Sequence, residues 1–146
     1  MASARIRRIS RIRALKQTAL EDRAKELSAA REQLATAEAR LLELVATRAE
    51  ATAKKDEARR QPIAPDEWRE LEEWLDTTHI RERAQRQRIV AHEHAVALAR
   101  QAVVAAQSEV KSFDELIDRI RTGEIATENS KDRKLEDELA GRRKNR

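Results

Sequence analysis

The sequence predicts an all-α fold. It should form a long two-helix antiparallel coiled-coil hairpin, with a helix over about 3–60, a turn at 61–65, a helix over about 66–122, and a short charged tail over 123–146. Three observations predict it. The first is composition: 40% of the 146 residues are charged, 2% are aromatic, and there are two Gly and two Pro. That is too little bulk and too few turn residues for an ordinary globular core. The second is that one internal break stands out, QPIAPDEW at 61–68. The third is a pair of seven-residue apolar repeats, one on each side of that break.

In chain order, the opening RIRRISRIR carries Arg5, Arg7, Arg8, Arg11 and Arg13 with isoleucine at every third place, and no Asp or Glu occurs in the first twenty residues. Leu20, Leu27, Leu34 and Leu41 then recur every seven residues. Three places after each come Arg23, Ala30, Ala37 and Leu44, which gives a seam of Leu facing mostly Ala, and Ile6 and Ile9 continue it backwards. At the break, Pro62 and Pro65 bias the residues before them away from helix, and Asp66 is placed to cap a new helix. The second repeat runs through Trp68, Leu75, Glu82, Ile89, Val96, Val103, Val110 and Ile117, accompanied by Leu71, Thr78, Gln85, His92, Ala99, Ala106, Phe113 and Ile120. Gly123 is the expected end of this helix, because the TENSKDRK segment has no apolar period. Beyond it LEDELAGRR has helical character.

Folding the chain back near residue 63 opposes residues whose numbers sum to about 126. On that register Leu20 meets Ala106, Leu27 meets Ala99, Ala30 meets Val96 and Ala37 meets Ile89, so large faces small through successive layers. Ile6 and Ile9 meet Ile120 and Ile117, which makes the basic N-terminus part of the coiled coil. Arg13 falls beside Phe113, and Lys16 and Arg23 lay their stems over Val110 and Val103. The layers of Glu82 with Leu44 and Gln85 with Leu41 are polar on one side, so the coil is expected to be softest between Thr78 and Arg88.

These patterns exclude several functions. A basic run followed by heptad leucines resembles a basic-region zipper, but the run carries seam isoleucines and the leucine face already has an intramolecular partner, so nucleic acid is not expected. The matching of the N-terminus to Ile117 and Ile120 argues against a cleavable transit peptide. No catalytic, cofactor-binding or metal-ligating residues are assigned: there is no Cys, no Gly-rich phosphate loop, and His92 and His94 lie two apart, on different helix faces. No membrane-inserting segment is expected either.

Three segments carry a resemblance to a known family: RIRRISRIRALKQ at the start, LEEWL at 71–75 and DELAGRR at 137–143. Together with the hairpin they resemble the YscO-type stalk proteins of bacterial type III secretion systems, relatives of the flagellar export protein FliJ. The resemblance implies a non-enzymatic cytoplasmic stalk whose terminal end enters a hexameric secretion ATPase. Its hinge end would reach toward the export gate and in some members handle secretion chaperones. It implies ATPase contacts from Arg5, Arg7, Arg8, Arg11, Arg13, Arg142 and Arg143. The export-gate or chaperone side is implied for Trp68, Trp74 and Leu75, with Trp74 beside the seam and half exposed. The free chain is expected to be a monomer, and the Arg/Ile opening leans toward an injectisome. An alternative is a generic coiled-coil scaffold or adaptor that dimerises through an outer stripe of Val90, Ala97 and Val104.

Overall fold

The computed structural model describes residues 3–144, and among them it contains two helices and no strand: α1, Ala4–Arg59, and α2, Pro65–Lys144. The helices return antiparallel and pack against each other as a hairpin. Ser3 caps α1, its Oγ accepting from the Ile6 N–H at 3.1 Å. At the other end the Arg60 N–H donates to the Glu57 carbonyl at 3.0 Å, a tightened last turn that closes α1 before Pro62.

Two boundaries differ from the sequence expectation. Pro65, and not a residue after Asp66, opens α2: the Trp68 N–H reaches the Ala64 carbonyl at 3.1 Å. Pro65 has no N–H to leave unpaired and its φ is already helical, which suits the first helical position, and Asp66 and Glu67 then serve the helix dipole from inside the first turn. The second difference is larger. α2 does not end near residue 122 but continues through Gly123 and TENSKDRK to Lys144. No glycine has a positive φ, so Gly123 does not form a left-handed cap, and the Gly123 carbonyl accepts from Thr127 Oγ1 at 2.8 Å within an unbroken helix. A helical glycine costs about 1 kcal/mol relative to alanine, too little to stop a helix whose continuation is rich in Glu, Lys, Arg and Leu.

The chain forms two compact units. The turn unit is Ala24–Ala102; the terminal unit combines α1 up to Arg23 with α2 from Val103 onward. In the turn unit the seam buries Leu27, Ala37, Leu44, Ile89 and Val96, while Ala30, Leu34, Leu41 and Ala99 are half-buried. In the terminal unit Ile6, Val110 and Ile117 are buried, and Leu20, Val103, Ala106 and Phe113 are half-buried. Of the seam positions singled out above, Arg23 alone is exposed. Three cross-helix ion pairs keep to the expected register, Arg13 with Asp114 and Lys16 with Glu109 in the terminal unit and Lys55 with Glu72 in the turn unit, while Arg48 with Glu82 is displaced from it by one helical turn.

Where softness was expected, the turn unit carries a connected polar layer. Glu82 is 2% exposed and pairs across the helices with Arg48, Nε to Oε2 2.8 Å, and along its own helix with Arg86 at 3.3 Å. The Arg48 contact is an ion pair off the hydrogen-bond axis. Gln85 Nε2 donates to the Ala37 carbonyl at 2.9 Å, and buried Thr78 donates to the Trp74 carbonyl at 2.8 Å. Burying these groups without partners would be costly: Gln85 finds its acceptor across the seam and Thr78 within α2, while Arg48 Nε and Glu82 Oε2 are held by charge alone, without a hydrogen bond.

Candidate functional site

In the terminal unit, the burial of Ile6 sets the phase of the first turns of α1. With that side chain on the seam, Arg5, Arg7, Arg8 and Arg11 all fall on exposed positions. Among the described residues no carboxylate pairs with these four. The first turn of α1 also contains no acidic residue. A helix N-terminus already carries about half a positive charge, so arginines placed there raise the local potential at a cost to helix stability. An arrangement that opposes folding and leaves the charge in solvent is suited to an anionic partner.

The three other members of the predicted arginine set stand apart. Arg13 is half-buried, with Nε donating to Asp114 Oδ1 at 2.9 Å and Nη2 to Oδ2 at 3.5 Å, so its charge is already engaged across the helices. Arg142 and Arg143 are exposed, but they are not beside the N-terminus. Ser3 and Arg5 share a groove with Leu116, Ile120, Gly123 and Thr127 and with the charged Arg119, Glu124, Glu128 and Lys131, which marks where α1 begins along α2. From there α2 continues for some twenty residues, about 30 Å at 1.5 Å per residue, before it reaches Arg142. The grouping of all seven arginines assumed a helix end at Gly123, and the continuous helix separates them.

In the turn unit both tryptophans are half-buried, as is Leu75. Trp68 donates its indole N–H to Glu72 Oε1 at 2.9 Å, and its ring lies under Lys55 Nζ at 5.2 Å and the Arg59 guanidinium at 5.9 Å. Trp74 lies under Lys54 Nζ at 5.2 Å. Cations at this distance from an indole face are attracted by its quadrupole, so the last turns of α1 are fastened to the first turns of α2 by three basic residues. The sequence reading missed this clasp. Its signal was present, since Lys54, Lys55 and Arg59 fall within one helical turn of the places that face the two tryptophans on the register of about 126. Trp74 also lines a groove with Ile63, Glu67, Glu70 and Leu71.

His92 lines a shallow groove between the helices with Ala29, Ala37 and Arg88. Among the described residues no three His, Cys, Asp or Glu side chains are placed to hold a metal ion, and no helix is long and apolar enough to cross a membrane. On the outer face of α2, Val90 is 63% exposed, and Ala97 and Val104 are exposed as well.

Comparison with known proteins adds one finding: a family model described as Flagellar FliJ protein matches residues 5–146. No curated protein and no solved structure matches the chain.

Proposed function

The chain belongs to the flagellar FliJ family, and on that premise we propose that it is a non-catalytic stalk of the YscO type, serving the hexameric ATPase of a type III secretion system. The arginine row at the start of α1 inserts into the ring, favours its assembly and turnover, and the turn end works toward the export gate and its chaperones. The observation that carries this reading is the set of four solvent-exposed arginines at the N-terminus of α1, with no acidic first turn and no ion pair to any of them among the described residues, Glu124 and Glu128 lining the groove of Arg5 without pairing with it. Such a positive end is drawn to acidic loops over a distance set by the ionic strength, so its effect should fade as salt is added. Arg13 and the pair Arg142 and Arg143 contribute at separate places, the first through the hairpin and the latter from the far turns of α2.

The test is to replace Arg5, Arg7, Arg8 and Arg11 together with Glu and to follow ATP hydrolysis by the cognate hexamer. Because all four side chains are exposed and Ile6 and Ile9 are untouched, circular dichroism should show an intact helical protein. Stimulation of the ATPase should be lost. A folded variant that stimulates normally would refute the role of the terminal arginines.

A second reading has its own observation. Val90, Ala97 and Val104 are exposed apolar residues at seven-residue spacing, which suits a scaffold that pairs with another helix. Val90→Glu with Val104→Glu separates the two: a stalk keeps its ATPase stimulation, whereas a scaffold loses its partner.

A further inference from the structure

We propose that the groove beside Trp74 receives a partner segment that presents one apolar side chain flanked by Lys or Arg. The inference rests on reading the turn end as the end that meets the export gate, and it names the chemistry of what docks there.

The groove measures about 450 Å³ and is lined by Ile63 from the turn and by Glu67, Glu70, Leu71 and Trp74 from α2. Glu67, Glu70 and Trp74 recur at i, i+3 and i+7, so they form one face of the helix, with Leu71 beside them. The floor is therefore apolar and the rim carboxylate. A half-buried indole next to an open apolar hollow is the type of residue on which binding energy concentrates.

The sign of the rim follows from the charges that line it, Glu67 and Glu70 with no Lys or Arg among the lining residues, although a cation over an indole keeps its charge and Lys54 stays a positive group beside Trp74. On the α1 side, Lys54 lies over Trp74, Lys55 and Arg59 lie over Trp68, and Lys55 also meets Glu72 at 3.8 Å. On the α2 side, Glu67 and Glu70 have no basic partner among the described residues. Glu67 lies in the first turn, where the helix dipole accounts for it. Glu70 lies beyond that turn, and the dipole does not. Arg69 lies two hundred degrees from Glu67 and one hundred degrees from Glu70 at one hundred degrees per residue; it is not among the lining residues and pairs with neither carboxylate. An incoming apolar side chain flanked by cations would bury itself against Trp74, Leu71 and Ile63 and complete the two free carboxylates.

The experiment is calorimetric titration of the full chain with the cytoplasmic part of the cognate export-gate protein. Trp74→Ala should weaken binding about tenfold or more, with Trp74→Phe recovering most of it. Glu67→Lys combined with Glu70→Lys should weaken binding by a similar factor, Arg69→Glu should leave it unchanged, and wild-type binding should weaken as salt rises. Each variant is checked for an unchanged melting curve. Wild-type binding that ignores Trp74, or that is unchanged or tightened by the two lysines, overturns the inference and leaves the gate-facing reading in place. A wild type that does not bind the gate protein at all, while stimulating the ATPase, removes both.

Discussion

The turn unit contains two kinds of seam within one hairpin. Around Leu27, Ala37, Ile89 and Val96 the helices meet through aliphatic side chains of alternating size. Around Arg48, Thr78, Glu82 and Gln85 they meet through charges and amides. The apolar layers depend on volume, and a volume match recurs whenever one helix slides by a heptad. The polar layer depends on direction. Glu82 reaches along α1 to Arg48, nearer the turn than its expected partner Leu44, and Gln85 reaches back to the Ala37 carbonyl, away from the turn relative to Leu41. A slide in either direction stretches one of the two contacts. Stability thus resides mainly in one stretch and register in the other, as single buried polar positions fix register in other coiled coils.

The largest effect should come from breaking the polar layer on one side. Arg48→Ala leaves the Glu82 carboxylate buried with Arg86 as its remaining partner. Breaking a buried pair typically costs 3–5 kcal/mol, and because the Arg48 side chain is itself 38% exposed the expected loss is about 3 kcal/mol by urea denaturation. Glu82→Leu should cost much less, since the arginine it orphans can turn to water. If the two substitutions cost the same, Glu82 is not held by Arg48.

Replacing Arg48, Glu82 and Gln85 together by Leu sharpens the contrast further. Stability should be equal or higher, but uniqueness of register should fall. Cysteines introduced as Ala30→Cys with Val96→Cys should form a disulfide readily in the otherwise native chain, whereas Ala30→Cys with Ile89→Cys, displaced by a heptad or about 10 Å, should not. In the triple-leucine background both pairs should close. Selective closure there would show that the aliphatic layers alone fix the register.

What could be read from the sequence divides along the same line. The two-helix hairpin and the aliphatic layers were legible because side-chain period and burial are properties of a single strand of text. Glu82 and Gln85 were legible as seam positions but not as partnered ones. Their partners, Arg48 and the Ala37 carbonyl, become visible when cross-helix geometry is fixed to within one turn. Ala51 continues the seam beyond Leu44 and is fully buried, yet its place is hard to see in the sequence because alanine gives little periodic contrast in a chain so rich in it. Gly123 misled in the opposite direction, since a glycine marks a helix end when the chain turns there, and nothing here makes it turn. For the candidate sites, the exposure of the arginine row followed from the seam phase of Ile6 and Ile9. The groove beside Trp74 did not, because Ile63 belongs to a turn whose path the sequence leaves open.

Within the aliphatic stretch, Leu27→Ala should rank next. Leu27 is buried, and a buried leucine truncated to alanine costs about 2–5 kcal/mol, with the low end expected here because a two-helix seam lets the space relax toward solvent. The expected order is Arg48→Ala above Leu27→Ala, which would place the polar layer above an aliphatic layer in cost of disruption even though it contributes less to net stability.

The smallest effect should be at Leu42, which follows the half-buried seam residue Leu41 by one place and is 71% exposed. One residue along a helix rotates a side chain by about a hundred degrees, enough to carry it from the seam to solvent. Truncating an exposed leucine removes little buried area, and alanine has the higher helix propensity, so Leu42→Ala should change stability by less than about 0.5 kcal/mol in either direction. Urea denaturation of Leu27→Ala and Leu42→Ala side by side measures the difference. If Leu42→Ala matched Leu27→Ala, the leucine would have to be buried in solution by something other than α2. Repeating the measurement across protein concentrations would then decide the matter, because burial against a second copy makes the midpoint rise with concentration and burial within the chain does not.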